Sequence, residues 1–104
     1  MKKIAKLDDI KKGGYIYFDH QGEKALLIRT DKGDLFAYFA TCPHEGKTIM
    51  WDGEINRILC ECHLAMFNLE DGTVYRTARN IEIKNGLRPI EVMVDKMDTV
   101  FALD

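Results

Sequence analysis

The sequence predicts an all-β domain, an antiparallel sandwich or small barrel. Short apolar or alternating runs fill most of the chain, and turn signals recur roughly every eight to twelve residues. No 3.6-residue periodicity persists long enough to build a helix against a sheet. At 104 residues the chain closes one core, because domains usually need about 100 to 150 residues and a split would leave neither half enough interior. One domain over 1–104 is expected, with residues of about 40 to 68 inserted as two loops.

The elements follow in chain order. Residues 7–12 suit a helical turn, with Asp8 or Asp9 as cap and Gly13-Gly14 as its end. Strands are expected over 15–18, 24–29, 35–40, 55–59, 73–75, 90–94 and 99–103, where apolar and β-branched residues cluster. Between them lie Asp19-His20-Gln21-Gly22, Asp31-Lys32-Gly33-Asp34, Glu70-Asp71-Gly72, Asn85-Gly86 and Asp95-Lys96-Met97-Asp98. Each supplies residues that tolerate positive φ or cap a turn with a side chain. Glu54-Ile55 and Ile58-Leu59 flank Asn56-Arg57 as a hairpin would.

Composition narrows the function. Hydrophobic residues make up 46% and charged residues 31%, which allows a packed core without disulfide staples. Fifteen basic and seventeen acidic residues give a net charge of −2, and no basic stripe could follow a line of phosphates, so nucleic acid is not an expected partner. Lys6, Asp8, Asp9, Lys11 and Lys12 interrupt any leader-like apolar stretch, and no segment approaches the ~20 apolar residues of a membrane span. A freely diffusing, cytoplasmic monomer is expected. The three cysteines are an odd number, which favours metal ligation or reactivity over a disulfide framework.

Two of those cysteines sit beside histidines. The first loop reads Cys42-Pro43-His44-Glu45-Gly46 and the second Cys60-Glu61-Cys62-His63, so each pairs a thiolate with an imidazole. Pro43 stiffens the first loop, and Gly46 lets the backbone approach a bulky inorganic centre without a clashing Cβ. Such a donor set also admits a structural zinc, although zinc sites favour Cys-x₂₋₄-Cys knuckles over Cys-x-His.

Cys-x-His followed by Cys-x-x-His at this separation resembles the Rieske signature, met by Cys42, His44, Cys60 and His63. The resemblance extends to Gly46, Ile49, Phe67, Leu69 and the Asp71-Gly72 turn, and so covers nearly the whole chain. It implies a three-sheet antiparallel β domain with one [2Fe–2S] cluster at the tip of the loops. The two cysteines would bind one iron and the two histidines the other, with both imidazoles near the surface. A cluster with two thiolates and two neutral imidazoles is neutral when oxidised and minus one when reduced, whereas four thiolates start it at minus two. Hence potentials of about −150 to +300 mV against about −400 mV for plant-type clusters. The imidazoles stay titratable, so the potential is expected to fall as pH rises through their pKa values.

The resemblance is incomplete in an informative way. In the high-potential branch a further cysteine in each loop forms a disulfide clamp; here Cys62 has Lys47 opposite it, so Cys62 is expected to be a free thiol and packing to replace the clamp. That branch also has a serine and a tyrosine whose hydroxyls bond cluster sulfurs, at positions held here by Ala65 and Phe67. Two missing donors, each worth ~1 kcal/mol, lower the expected potential by roughly 40 mV apiece.

The resemblance thus implies a low-potential ferredoxin, not an enzyme, shuttling single electrons between a reductase and an oxygenase or similar acceptor. A Rieske subunit of a multicomponent oxidoreductase is the alternative. A cluster-free degenerate domain would lack ligands that are all present here. Other residues receive plainer expectations: His20 as a solvated turn residue, Met50 and Trp51 as cluster shielding or a docking patch, and one of Met66 and Phe67 inside. Cys62 is expected to be a small buried side chain, and Arg76, Arg79 and Lys84 a solvated face.

Overall fold

The run Ala25-Leu26-Leu27-Ile28 has no solvent exposure. Alternation along a strand sends its residues to opposite faces, so this strand must lie in a layer covered on both sides. The computed structural model, which describes residues 1–43, 47–60, 65–77 and 85–103, shows that arrangement. The elements are β1 (Lys2–Lys6), a 3₁₀ turn (Leu7–Asp9), β2 (Tyr15–His20), β3 (Glu23–Arg29), β4 (Leu35–Phe39), β5 (Ile49–Asp52), β6 (Arg57–Cys60), β7 (Met66–Asn68), β8 (Val74–Arg76), β9 (Pro89–Ile90), β10 (Val92–Val94) and β11 (Thr99–Ala102).

They form three antiparallel sheets, ordered β1-β11-β10, β2-β3-β4-β9 and β5-β6-β7-β8. The third sheet is inserted between β4 and β9, which pair through Ala37↔Ile90 and Tyr38↔Pro89. Ala25 and Leu27 of β3 join Ile10, Ala37, Ile90, Val100 and Ala102 in one core. Leu26 and Ile28 face the other way, into a core shared with Trp51, Ile58, Phe67, Leu69 and both Cys42 and Cys60. The β2–β3 turn is Gln21-Gly22 with φ of 53° and 80°, the doubly positive geometry that matches strand twist in two-residue hairpins. Among the described residues no helix is long and apolar enough to cross a membrane.

Several expectations change. The helical turn stops at Asp9, whose carboxylate accepts the Lys6 amide at 2.9 Å, because Ile10 turns into the core at 1% exposure. The hairpin pairs β5 with β6 through Met50↔Leu59 and Asp52↔Arg57, so Ile55 lies in the turn and is exposed instead of starting a strand. His20 is not a solvated turn residue. It closes β2, is 3% exposed, and lies between the rings of Phe18 and Phe39 at 6.2 and 5.6 Å between centroids. Strands β1, β5 and β7 add to those expected, and the single strand expected over 90–94 is two, β9 pairing with β4 and β10 with β11.

Candidate metal centre

Each candidate loop starts at a cysteine and is closed on the residue five positions later. The Cys42 amide donates to the Lys47 carbonyl at 2.7 Å, and the Cys60 amide donates to the Ala65 carbonyl at 2.8 Å. The two loops therefore have the same length and the same closing bond. Below the first, Thr41 and Thr48 form an antiparallel bridge; below the second, Leu59 pairs with Met66. Ile49, one residue beyond Thr48, lies directly opposite Cys60, which sets the two loops side by side.

Both cysteines are buried, Cys42 at 1% and Cys60 at 0%, and neither is in a disulfide. Their walls are apolar: Ile49, Trp51, Ile58, Ala65, Phe67 and Leu87 share their core. Thr41, Pro43 and Lys47 are exposed, so solvent reaches the residues on either side of the buried Cys42. A recess of about 430 Å³ opens beside Cys42, lined by Thr41, Pro43, Asn85, Gly86 and Arg88. Arg88 is fixed there by Glu23 at 2.7 Å and by stacking over Phe39 at 4.2 Å, and its hydrogen bond holds the Glu23 carboxyl below the usual carboxylate range.

Of the four ligands read from the sequence, Cys42 and Cys60 are thus brought together. His44 and His63 lie outside the described residues, as do Gly46, Cys62, Arg79 and Lys84. Trp51 is core, its indole N–H donating to the Gly13 carbonyl at 3.2 Å, while Met50 is half-buried. Phe67 is the inward member of its pair with Met66, and Arg76 is exposed. Sequence reasoning missed Tyr17, whose hydroxyl donates to the Ile49 carbonyl at 2.8 Å. No local pattern marks it, since the partners are 32 positions apart.

The family model for the Rieske [2Fe-2S] domain matches residues 1–101. The chain belongs to this family. The Rieske domain is an electron-transfer module that binds one [2Fe–2S] cluster. A curated relative, the cytochrome b6-f complex iron-sulfur subunit of Prochlorococcus marinus (strain MIT 9515), is 29% identical over 80 residues. That match takes in 75% of this chain and 39% of the relative, so the chain spans about two fifths of that protein.

Among solved structures, the ferredoxin of carbazole 1,9a-dioxygenase from Nocardioides aromaticivorans IC177 superposes with a TM-score of 0.76 at 23% identity, over 98% of this chain and 97% of that one. The plasma membrane Rieske protein PetC3 from Synechocystis PCC 6803 reaches 0.82 at 18% identity, over 100% of both chains. At these identities the two superpositions establish the three-sheet Rieske fold. The donor set fits the family's cluster: two buried thiols on matched loops can bind one iron away from water.

Proposed function

We propose that Cys42, His44, Cys60 and His63 hold the cluster, and that the chain is a Rieske ferredoxin. In this reading it diffuses freely in the cytoplasm, taking one electron from a reductase and passing it to an oxygenase or similar acceptor. The observation that carries the ligand assignment is the pair of equal loops, each closed by a cysteine amide and each burying its thiol. The bound cluster would supply a one-electron couple in the range of about −150 to +300 mV.

The chain's own residues do the rest. The apolar walls from Ile49, Trp51, Ile58 and Phe67 exclude water from the cysteine side. Charge near that side is therefore poorly screened, and nearby dipoles weigh heavily on the potential. In this reading the exposed Thr41, Pro43 and Lys47 border the face that a partner approaches. Similarity to a dioxygenase ferredoxin over nearly the full length of both chains supports the carrier reading. A second reading, a subunit of a larger redox complex, is favoured by the likeness to a cytochrome b6-f subunit.

Metal and sulfide analysis with redox titration tests the assignment. Two irons and two acid-labile sulfides per chain are expected, with a midpoint well above the about −400 mV of plant-type clusters. Stoichiometric zinc without sulfide would overturn it. Copurification with other chains at fixed stoichiometry would favour the subunit reading over the carrier.

A further inference from the structure

Four residues close a ring of contacts where the β2-β3-β4 layer meets the loop-bearing sheet. The Tyr17 hydroxyl donates to the Ile49 carbonyl at 2.8 Å. The Ile49 amide donates to the Ala40 carbonyl at 3.0 Å, and the Ala40 amide donates to the Lys24 carbonyl at 2.9 Å. The Lys24 ammonium then lies over the Tyr17 ring, 4.2 Å from its centroid.

Two members of this ring lead directly to the cysteines. Ala40 precedes Cys42 by two residues, and Ile49 faces Cys60 across β5 and β6. Because the Ile49 amide is spent on Ala40 and the Cys60 amide on Ala65, the Ile49–Cys60 pair is of the non-hydrogen-bonded kind, in which side chains stand closest. Strand β5 is also an edge of its sheet. At Ile49 its outer side is tied to the neighbouring layer through the bonds to Ala40 and Tyr17. Ile49 is fully buried, so a carbonyl stripped of its donor there must draw in water or move.

We propose that Tyr17, with Lys24 over its ring, is a positioning residue that fixes the separation of the Cys42 and Cys60 loops and keeps water out of the seam between them. The role rests on the assignment of these two cysteines as ligands. Without the hydroxyl, β5 slackens and water reaches the seam. Water there solvates the more negative, reduced state better than the oxidised one, so the potential rises and the cluster is lost more readily.

The test compares cluster-loaded wild type, Tyr17→Phe and Tyr15→Phe. Tyr17→Phe keeps the ring and its contact with Lys24 and removes the hydroxyl. Tyr15, partly exposed with its ring edge-on to Tyr17 at 5.6 Å, is the control for ring packing. Tyr17→Phe should raise the reduced-to-oxidised ratio at a fixed potential about threefold, a modest change for one lost hydrogen bond. It should also broaden the EPR signal of the reduced protein and speed loss of iron to a chelator, with Tyr15→Phe matching wild type. A loaded Tyr17→Phe protein with wild-type potential, EPR signal and iron retention would overturn the role, as would equal changes in Tyr15→Phe. If Tyr17→Phe does not fold, Lys24→Gln leaves the hydroxyl bond and removes the cation over the ring. Faster iron loss and a shifted potential then support the role, and wild-type values overturn it. A wild-type protein holding no iron or sulfide removes the ligand assignment and this role with it, whereas unchanged loaded variants remove this role alone.

Discussion

The Cys60 amide donates to the Ala65 carbonyl at 2.8 Å, closing a loop of the same length as that closed by Cys42 on Lys47 at 2.7 Å. Both closing bonds are made by backbone, so they do not depend on the cysteine side chains. Ligation and folding can therefore be separated. Cys42→Ala and Cys60→Ala should each reduce bound iron to less than about a tenth of wild type. The cost in packing is small, because a buried cysteine behaves as a small hydrophobe. Iron content and the thermal melt, measured on the same samples, check this. A variant that retains its iron would remove that cysteine from the ligand set.

Ala65 and Phe67 are both fully buried in the core that holds the two cysteines. Neither offers a hydroxyl to a cluster sulfur. Ala65→Ser and Phe67→Tyr should each raise the midpoint by about 40 mV, the equivalent of ~1 kcal/mol of preference for the reduced state. Voltammetry on the single and double variants decides it, and a double variant at the wild-type midpoint would sink this account of the tuning.

The middle layer was legible because its signals are local. β3 is buried on both faces and reads as an unbroken apolar run, and Gln21-Gly22 marks the hairpin before it. β1 was not legible, since three of its five residues are lysine and its partner β11 lies at the other end of the chain. His20 was misread for the same reason: Asp19, Gln21 and Gly22 are its neighbours in sequence, but Phe39 is its neighbour in space. In the candidate site, spacing from a histidine singles out Cys42 and Cys60, and of their side chains the fold adds only that both are buried in one core. The equal loop closures and the Tyr17–Ile49 bond came only from the fold, because backbone partners of a loop leave no trace in residue type.

Gly72 has a φ of 73°, and a Cβ there would stand 2.7 Å from Tyr38 Cε1 and 3.2 Å from the Leu87 carbonyl oxygen. Its own carbonyl accepts the Leu87 amide at 2.8 Å, linking the end of the inserted sheet to the segment entering β9. Gly72→Ala combines a strained backbone with overpacking, each costing about 1 kcal/mol or more. At about 4 to 8 °C per kcal/mol for a domain of this size, the melting temperature should fall by roughly 10 °C. Differential scanning calorimetry checks this, and a fall of under about 2 °C would show that Tyr38 and Leu87 move aside freely.

Tyr38 is 2% exposed, and its hydroxyl donates to the Leu69 carbonyl at 2.5 Å. Burial, reinforced by the charges of Asp71 and Glu70, pushes the phenol up to about 12 from an ordinary value of 10.0. The folded state thus holds the proton more tightly than the unfolded chain does. The stability this contributes is fully present below pH 10 and is lost as pH rises towards 12, on the order of 2 kcal/mol across that window. Tyr38→Phe removes the donor and leaves the Leu69 carbonyl unpaired in the core, costing about 1 to 3 kcal/mol at neutral pH. It also removes the titrating group. Urea unfolding at pH 7 and at pH 11 should therefore show the variant less stable than wild type at the lower pH and the gap narrowed at the higher one. A gap of constant size would mean that the phenol titrates alike in the folded and unfolded chain.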